Sequence, residues 1–138
     1  MPASEYEAVA GAFASGQVVQ EFWWDEDADD DLRKAIEEHT GEQLVAEDHH
    51  DVCDGAIIWW RKSDSEDGDL TDILVDAQAN LDDGGVIWVL TPKPNTDEHV
   101  PTGEVAEAAQ TAGMNATSAV SAGDSWSGTQ VVSRSRGR

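Results

Sequence analysis

Residues 70–90, LTDILVDAQANLDDGGVIWVL, contain a helix pattern followed directly by a strand pattern. Five apolar residues have the spacing of one face of an amphipathic helix. They are Leu70, Ile73, Leu74, Ala77 and Leu81. Asp69 precedes this helix as an N-cap, and Asp82-Asp83-Gly84-Gly85 ends it. Val86–Leu90 is a continuous apolar run, which is typical of a strand buried on both faces of a parallel sheet.

Strand and helix patterns continue on both sides of this stretch. The other predicted strands are Gln17–Trp24, Glu42–Ala46, Val52–Trp60 and a pair within Asn115–Val132 around the turn Gly123-Asp124-Ser125. The other predicted helices begin in the acidic run Asp25–Asp31 and end at Gly41, and extend from Thr102 to Ala112 before Gly113. The resulting order, β-α-β-β-α-β-α-β-β, predicts an α/β protein. We expect a reduced Rossmann-like three-layer sandwich, with a mainly parallel sheet and an antiparallel C-terminal hairpin.

The chain has 138 residues, a length typical of one domain. We expect that domain to comprise residues 17–132. Residues 1–16 are predicted to be a loosely held N-terminal extension, with a short helix around Tyr6 to Phe13. Residues 133–138, which contain three arginines, are predicted to be a flexible basic tail.

The charge of the chain is extreme and unevenly distributed. The net charge is −21, and residues 1–83 carry 24 acids and 4 bases, whereas residues 84–138 carry 5 acids and 4 bases. Such a field repels nucleic acid and anionic membranes and attracts basic surfaces. Solubility, or adaptation to a salty cytoplasm, is the alternative explanation. Since no apolar run is long enough to span a bilayer and residues 1–7 lack a signal-peptide pattern, we expect a cytoplasmic protein.

Two resemblances bear on fold and function. Asn80–Leu90, the strand Cys53–Trp60 and the C-terminal hairpin resemble parts of the Rossmann-like S-adenosylmethionine-dependent methyltransferases, within residues 17–132. The whole chain resembles a family of acidic actinobacterial proteins of unknown function. The segments that carry this second resemblance are Trp23–Asp27, Asp29–Arg33, Trp59–Arg61, Gly84–Trp88, Leu90–Pro94, Ala108–Gly113 and Trp126–Thr129. The second resemblance implies no particular activity.

The methyltransferase resemblance implies a glycine-containing cofactor loop after the first strand, and this chain lacks one. The position reads Phe22-Trp23-Trp24-Asp25-Glu26-Asp27. Two indoles and three carboxylates replace the glycines that let a backbone approach its ligand. The acids also occupy the helix end that binds phosphate in other proteins. We therefore predict no cofactor and no catalytic residues.

Three other parts of the sequence contain residue types that can bind metal ions or react. Asp25–Asp31 lacks the spacing and central glycine of a calcium loop, so we favour helix capping over a cation site. His49 and His50, between Asp48 and Asp51, are adjacent loop histidines, which usually point apart. A transition-metal or proton-transfer site is the alternative there, and we predict no metal site. Cys53 is the single cysteine, and we expect it to be a small buried residue.

Tandem tryptophans occur where two predicted strands end. Since neighbours in a strand point to opposite faces, one of Trp23 and Trp24 and one of Trp59 and Trp60 are expected in the core. The others would lie at the carboxyl ends of the strands, which form the ligand edge of a parallel sheet. The predicted partner-binding residues are Trp23, Trp24, Asp25, Glu26, Asp27, Trp60, Arg61, Thr91, Lys93 and Trp126. The alternative is that all the tryptophans fill the layers between sheet and helices.

These observations favour a non-enzymatic, acidic protein-interaction module. Its partner would be a larger protein or assembly with a basic surface, which the module binds and modulates or stabilises. A degenerate methyltransferase-like enzyme or small-molecule sensor is one alternative. An inhibitor that mimics nucleic acid with its surface carboxylates is another.

Overall fold

The structure, a computed structural model, describes residues 6, 8–49, 51–94, 96–123 and 125–133. The strands are β1 (Val19–Phe22), β2 (Cys53–Trp59), β3 (Leu81–Pro92), β4 (Met114–Ser121) and β5 (Trp126–Ser133). The helices are α1 (Asp30–Thr40), α2 (Leu70–Ala79) and α3 (Thr102–Thr111), with a short 3-10 helix at Lys62–Glu66. No helix in these ranges is long and apolar enough to cross a membrane.

The five strands form one mixed sheet in the order β1-β2-β3-β5-β4. β1, β2 and β3 are parallel, and β5 is antiparallel to both β3 and β4. This topology confirms the predicted α/β fold with an antiparallel C-terminal end. It also brings the carboxyl ends of β1, β2 and β3 to one edge of the sheet.

Helices cover both faces of the sheet, which makes three layers. On one face, Ile58 and Val89 pack with residues of α2 and α3, such as Leu74. On the other face, Ile57 and Trp59 pack with residues of α1 and of the N-terminal segment. Because successive residues of β2 enter opposite clusters, its apolar run is buried on both faces as predicted.

Acidic caps begin two of the helices. The Asp29 carboxylate accepts hydrogen bonds from the Asp31 amide at 3.0 Å and the Leu32 amide at 3.3 Å. Asp69 accepts from the Thr71 amide at 2.9 Å. Gly41 ends α1 with a left-handed backbone, φ 78°. These contacts confirm the helix-capping role predicted for the acidic run and for Asp69.

The predicted second strand, Glu42–Ala46, is wrong. In this segment, only Val45 forms a bridge, with Gln20 of β1. The Glu21 amide donates to the Val45 carbonyl at 2.8 Å, and the Val45 amide donates to the Val19 carbonyl at 3.0 Å. Only Leu44 and Val45 are half-buried in this polar segment, so it supports a single bridge that covers the outer edge of β1.

The residues expected to separate α2 from the next strand belong to β3. Helix α2 ends at Ala79, and Leu81 already pairs with Cys53 of β2. A Cβ atom on Gly85 would lie 2.6 Å from Leu81 Cγ and 2.8 Å from the Asp54 carbonyl oxygen. Gly85 is therefore required by close packing within the strand and does not mark a loop.

The described part of residues 1–16 contributes three side chains to the core and is not a loosely held extension. Val9, Ala10 and Phe13 are buried, with Phe13 only 2% exposed. The Phe13 ring lies over Gly55 of β2, at a position where a Cβ atom would clash with it. These three residues lie on one side of a single helical turn, and this apolar side packs against the sheet. Arg134–Arg138 of the predicted tail lie outside the described residues.

The candidate site at the carboxyl edge of the sheet

Three loops follow the parallel strands at the same edge of the sheet. They are residues 23–29 after β1, 60–69 after β2 and 93–101 after β3, and together we call them the carboxyl edge. Phe22 is paired with Ile58 and Trp59 with Leu90, so the strands end nearly level. In proteins with such sheets this crevice is where ligands bind.

Arg61 lies at the centre of this edge and is 6% exposed. Its Nε donates to both Asp27 carboxylate oxygens, at 3.0 and 2.9 Å, and its Nη2 also donates to Asp27. Its Nη1 donates to the Trp23 carbonyl at 3.0 Å, the Trp59 carbonyl at 3.2 Å and Asp64 at 3.2 Å. One guanidinium therefore joins the loops after β1 and β2.

The charge of Arg61 is secured by its partners. Burial on its own lowers the pKa of the guanidinium, but the hydrogen bonds that it donates to Asp27 and Asp64, together with their negative charge, outweigh burial and hold that pKa above its ordinary value. Arg61 also lies 5.4 Å from the centre of the Trp126 ring, within cation–π range. Arg61 is therefore a charged group with a hydrogen-bond partner at each of its three nitrogen atoms.

Trp23 has an unusual backbone at the point where β1 ends. Its φ of 58° lies in the left-handed region, which costs a bulky L-residue about 1–2 kcal/mol. Its ring packs edge-on against Trp60, with centroids 5.3 Å apart. A Cβ atom on Gly68 would lie 2.9 Å from the far end of this indole, so Gly68 makes room for it. The chain thus places an indole over the edge from a backbone conformation that favours glycine.

The tryptophan prediction was partly wrong. Trp59 and Trp60 are both buried, because the α1 layer covers one and the α2–α3 layer covers the other. Trp59 Nε1 donates to Glu21 at 2.8 Å, and the Trp59 ring lies 4.9 Å from that of Trp126. Trp23 is half-buried against the core, as expected for one member of its pair, while Trp24 is 49% exposed.

A second ion pair was not anticipated from the sequence. Arg33 of α1 donates to both carboxylate oxygens of Glu21, at 2.7 and 2.9 Å, and Glu21 is only 8% exposed. The hydrogen bond to Glu21 raises the pKa of Arg33. The Arg33 guanidinium also lies 5.7 Å from the centre of the Trp24 ring. The one signal in the sequence was a glutamate inside an apolar strand, with an arginine in the helix that follows.

The ten predicted partner-binding residues divide by exposure. Trp60, Arg61, Thr91 and Trp126 are buried. Trp23 and Lys93 are half-buried, and Lys93 Nζ donates to the Ser121 hydroxyl at 2.8 Å. Trp24, Asp25, Glu26 and Asp27 are exposed. The buried members therefore offer a partner little surface beyond the parts of Trp60 and Trp126 that line grooves.

The carboxyl edge is strongly acidic. Residues 23–29, 60–69 and 93–101 carry ten acids against three bases. A groove of about 300 Å³ lies between Tyr6, Trp126 and three aspartates of the first loop and α1. A second groove, of about 500 Å³, has Trp60 and Leu70 on its floor and Asp69, Glu104 and Glu107 in its walls. Both grooves favour cationic groups.

Within the described ranges, no group of three or more His, Cys, Asp or Glu side chains is placed to hold a metal ion. The carbonyl of His49 accepts from Gln20 Nε2 at 3.2 Å and from Asn80 Nδ2 at 2.7 Å. His49 is half-buried, and the adjacent loop histidine, His50, lies outside the described residues. Cys53 is buried as predicted, and burial raises the pKa of its thiol.

Comparison with known proteins places the chain in a family. A family model described as a protein of unknown function, DUF3052, matches residues 8–135. The chain belongs to the DUF3052 family. Uncharacterized proteins of Mycobacterium tuberculosis and Mycobacterium bovis are each 50% identical to it over 116 residues, which cover 84% of this chain and 71% of theirs. These relatives bear out the predicted actinobacterial family.

Solved structures show what fold this DUF3052 protein has. A precorrin-6y C5,15-methyltransferase from Geobacter metallireducens superposes with a TM-score of 0.62 at 11% identity, covering 96% of this chain and 87% of that one. The mitomycin 7-O-methyltransferase MmcR superposes with a TM-score of 0.59 at 12% identity, covering 96% of this chain. The DUF3052 chain spans 54% of the length of MmcR. At these identities the likeness establishes a methyltransferase-like Rossmann fold and nothing further.

The residues at the carboxyl edge of this DUF3052 protein do not fit S-adenosylmethionine in the usual mode. The crevice after β1 is filled by the Trp23 indole and by the Arg61–Asp27 pair. The loop there contains no glycine to admit a ligand close to the backbone. Because the Trp23 indole and the Arg61–Asp27 pair already occupy the crevice, the cofactor would meet bulk where it usually binds.

Proposed function

We propose that this DUF3052 protein is a non-enzymatic binding module whose carboxyl edge docks on a basic surface of a larger protein. The observation that carries the proposal is the Arg61 network. Its side chains occupy the crevice in which proteins of this fold hold a ligand, so that crevice is closed and the surface around it, including two grooves, is acidic. A closed surface suits a macromolecular partner better than a small substrate.

The exposed features of that surface suit a partner with arginine or lysine side chains. The Trp24 ring is half exposed, and the Arg33 guanidinium lies over it. An arginine or lysine of a partner can make the same cation–π contact with the exposed part of the ring. Asp25 and Glu26 are exposed beside it and supply carboxylates for the same cation. An aromatic anchor surrounded by charge is a frequent binding hot spot.

The charge of the chain supports the same proposal through the rate of encounter. Since residues 1–83 hold nearly all of the net charge, the field is strongest around β1, β2, α1 and α2. Such a field steers a basic partner toward the acidic edge. We place this encounter in the cytoplasm, and binding there would modulate or stabilise the partner.

The test is capture of partners from the protein's own cell extract by tagged variants. The wild type, Trp24→Ala and the double variant Asp25→Asn with Glu26→Gln are compared by quantitative mass spectrometry. We expect both altered proteins to recover a partner at least about tenfold less well, because a hot-spot contact contributes more than ~1.4 kcal/mol.

A matched control removes the same charge elsewhere. Asp72 and Asp76 are exposed on α2, and Asp72→Asn with Asp76→Asn should retain full recovery. Equal recovery by every variant, or loss with the α2 variant alone, would count against docking at the carboxyl edge. Recovery of no stoichiometric partner by the wild type would also count against it.

The fold itself favours a second candidate, a small-molecule sensor or methyltransferase-like enzyme that uses the same edge. It would require the loop 23–29 to release Arg61 before a ligand can enter. A thermal-shift screen with S-adenosylmethionine, nucleotides and metal ions separates the two proposals. A true ligand at about 100 times its Kd adds ~2.7 kcal/mol of stability, whereas the docking proposal expects no shift.

A further inference from the structure

The C-terminal hairpin is almost free of charge in a chain that is otherwise densely charged. Residues 108–133 contain one charged residue, Asp124, whereas 27% of the chain is Asp, Glu, Lys or Arg. This stretch includes the whole of β4 and β5. Because β4 is the last strand in the sheet order, this neutral region forms one of the two edges of the sheet.

The two outermost strands of the sheet, β1 and β4, differ in how their outer backbone is protected. The outer edge of β1 is only four residues long, and the backbone of Val45 covers it through two hydrogen bonds. β4 is eight residues long and contains neither a charged residue nor a proline. Natural edge strands are usually protected by lysine, proline, shortness or a covering segment. The shift of register between Ala116 and Ser118 is the one irregularity that β4 carries.

We propose that β4 pairs with β4 of a second copy of the chain, antiparallel about a twofold axis. A strand that meets its own copy in this way forms a self-complementary interface and continues the sheet from one protomer into the next. The exposed side chains Asn115 and Ala119 are small and uncharged, so they permit the close approach of about 4.8 Å that strand pairing needs. This inference is independent of docking at the carboxyl edge.

The distribution of charge makes a second copy the appropriate occupant. Residues 84–138 carry a net charge of only −1, so the hairpin is where two copies can approach each other with least repulsion. β1 lies four strand spacings from β4, about 19 Å, which is roughly two Debye lengths at physiological salt. A basic partner attracted by the acidic field would instead be drawn to the carboxyl edge.

The salt dependence follows from this arrangement and distinguishes the two interactions. Added salt screens the remaining repulsion between two acidic copies, so self-association strengthens as salt rises. Docking of a basic partner weakens under the same change. Either interaction can therefore fail without affecting the evidence for the other.

The experiment is sedimentation equilibrium of the full chain across a range of concentrations, at about 0.1 M and about 1 M NaCl. We expect the mass to rise from the 14.9 kDa of one chain to twice that value, with a dimer Kd at least about tenfold lower at the higher salt. A mass of one chain at every concentration and both salt levels would overturn the proposal.

Variants that add charge test whether the interface lies on β4. Asn115→Glu with Ala119→Glu puts like charges into the strand pair and should weaken the dimer at least about tenfold. The matched control, Gln43→Glu with Val52→Glu, adds the same charge at exposed positions away from β4 and should leave the Kd almost unchanged. Persistence of the dimer in the β4 variant, with wild-type circular dichroism, would show that the interface lies elsewhere.

Hydrogen exchange of the wild-type protein tests the same point if the β4 variant does not fold. Amides of β4 should exchange more slowly as protein concentration rises, while those of α1 should not change. Concentration-dependent protection confined to any other element would overturn the assignment to β4.

Discussion

Arg61 connects loops that are distant in sequence and adjacent at the carboxyl edge. It lies 34 residues from Asp27 and three from Asp64, and it holds both carboxylates and two backbone carbonyls. Asp27 is about half exposed, whereas Asp64 and Arg61 are largely buried. The contact with Asp64 should therefore contribute more to stability than the solvent-screened one with Asp27.

We predict that Arg61→Ala lowers the free energy of unfolding by about 3 kcal/mol, because the Asp64 carboxylate and the Trp59 carbonyl lose their partner in a water-poor site. Arg61→Lys should lose about half as much, since an ammonium group cannot reproduce the forked contacts. Urea denaturation followed by tryptophan fluorescence measures both. Lys62→Ala, at the exposed neighbouring position, is the control and should change stability by less than ~0.5 kcal/mol. A loss no larger than that of the control would contradict the central role of Arg61.

Sequence reasoning identified the residues of the candidate site better than their arrangement. Trp23, Arg61 and Asp27 were grouped because parallel strands end at a common edge. Their exposure was not predictable, because the burial of Trp60 depends on helices that pack over it from elsewhere in the chain. The Arg33–Glu21 pair was missed since a glutamate in a strand does not reveal its partner.

At the scale of elements, long apolar patterns were predicted well and short polar ones were not. The cores of β2 and β3 followed from continuous apolar runs, and α2 followed from its spacing and cap. Residues 81–85 belong to β3 despite the turn preference of aspartate and glycine, because Leu81 pairs with Cys53 of β2 before the register shifts between Cys53 and Gly55. Residues 42–46 form a single bridge because too few of their side chains reach the core.

Burial of the N-terminal segment predicts how much stability one substitution there removes. Phe13 is buried against Gly55 of β2, so Phe13→Ala should lower the free energy of unfolding by about 3–4 kcal/mol through lost burial and a cavity. Thermal and urea unfolding measure the change. Val75→Ala, at an exposed site on α2, should stay within ~0.5 kcal/mol of the wild type. A similarly small effect of Phe13→Ala would mean that the segment is held only loosely, as the sequence first indicated.

The whole molecule carries a net charge of −21 on 138 residues, and its self-repulsion opposes the compact state. The described ion pairs, those of Arg33 and Arg61, act in the opposite direction. Since acids far outnumber bases, repulsion should exceed attraction at low ionic strength. Screening of charge should then stabilise the folded chain as a whole.

We predict that the Tm rises by about 5 °C between low salt and about 1 M NaCl, which corresponds to ~1–2 kcal/mol for a chain of this size. Differential scanning calorimetry at low protein concentration measures the shift. The β4 variant Asn115→Glu with Ala119→Glu should show the same rise, which separates screening within one chain from self-association. A Tm that falls with salt would mean that the ion pairs outweigh the repulsion.

The edge-to-face indoles have a consequence for light absorption. Trp23 and Trp60 lie 5.3 Å apart, and Trp59 and Trp126 lie 4.9 Å apart, so the excited states of each pair are close enough to mix. Mixing of this kind produces paired bands of opposite sign in ultraviolet circular dichroism, with a size set by the angle and distance between the rings. Because Trp23 belongs to the loop that Arg61 holds, one of these signals changes whenever that loop moves. The ultraviolet circular dichroism of the chain therefore reports on the position of this loop without an added dye.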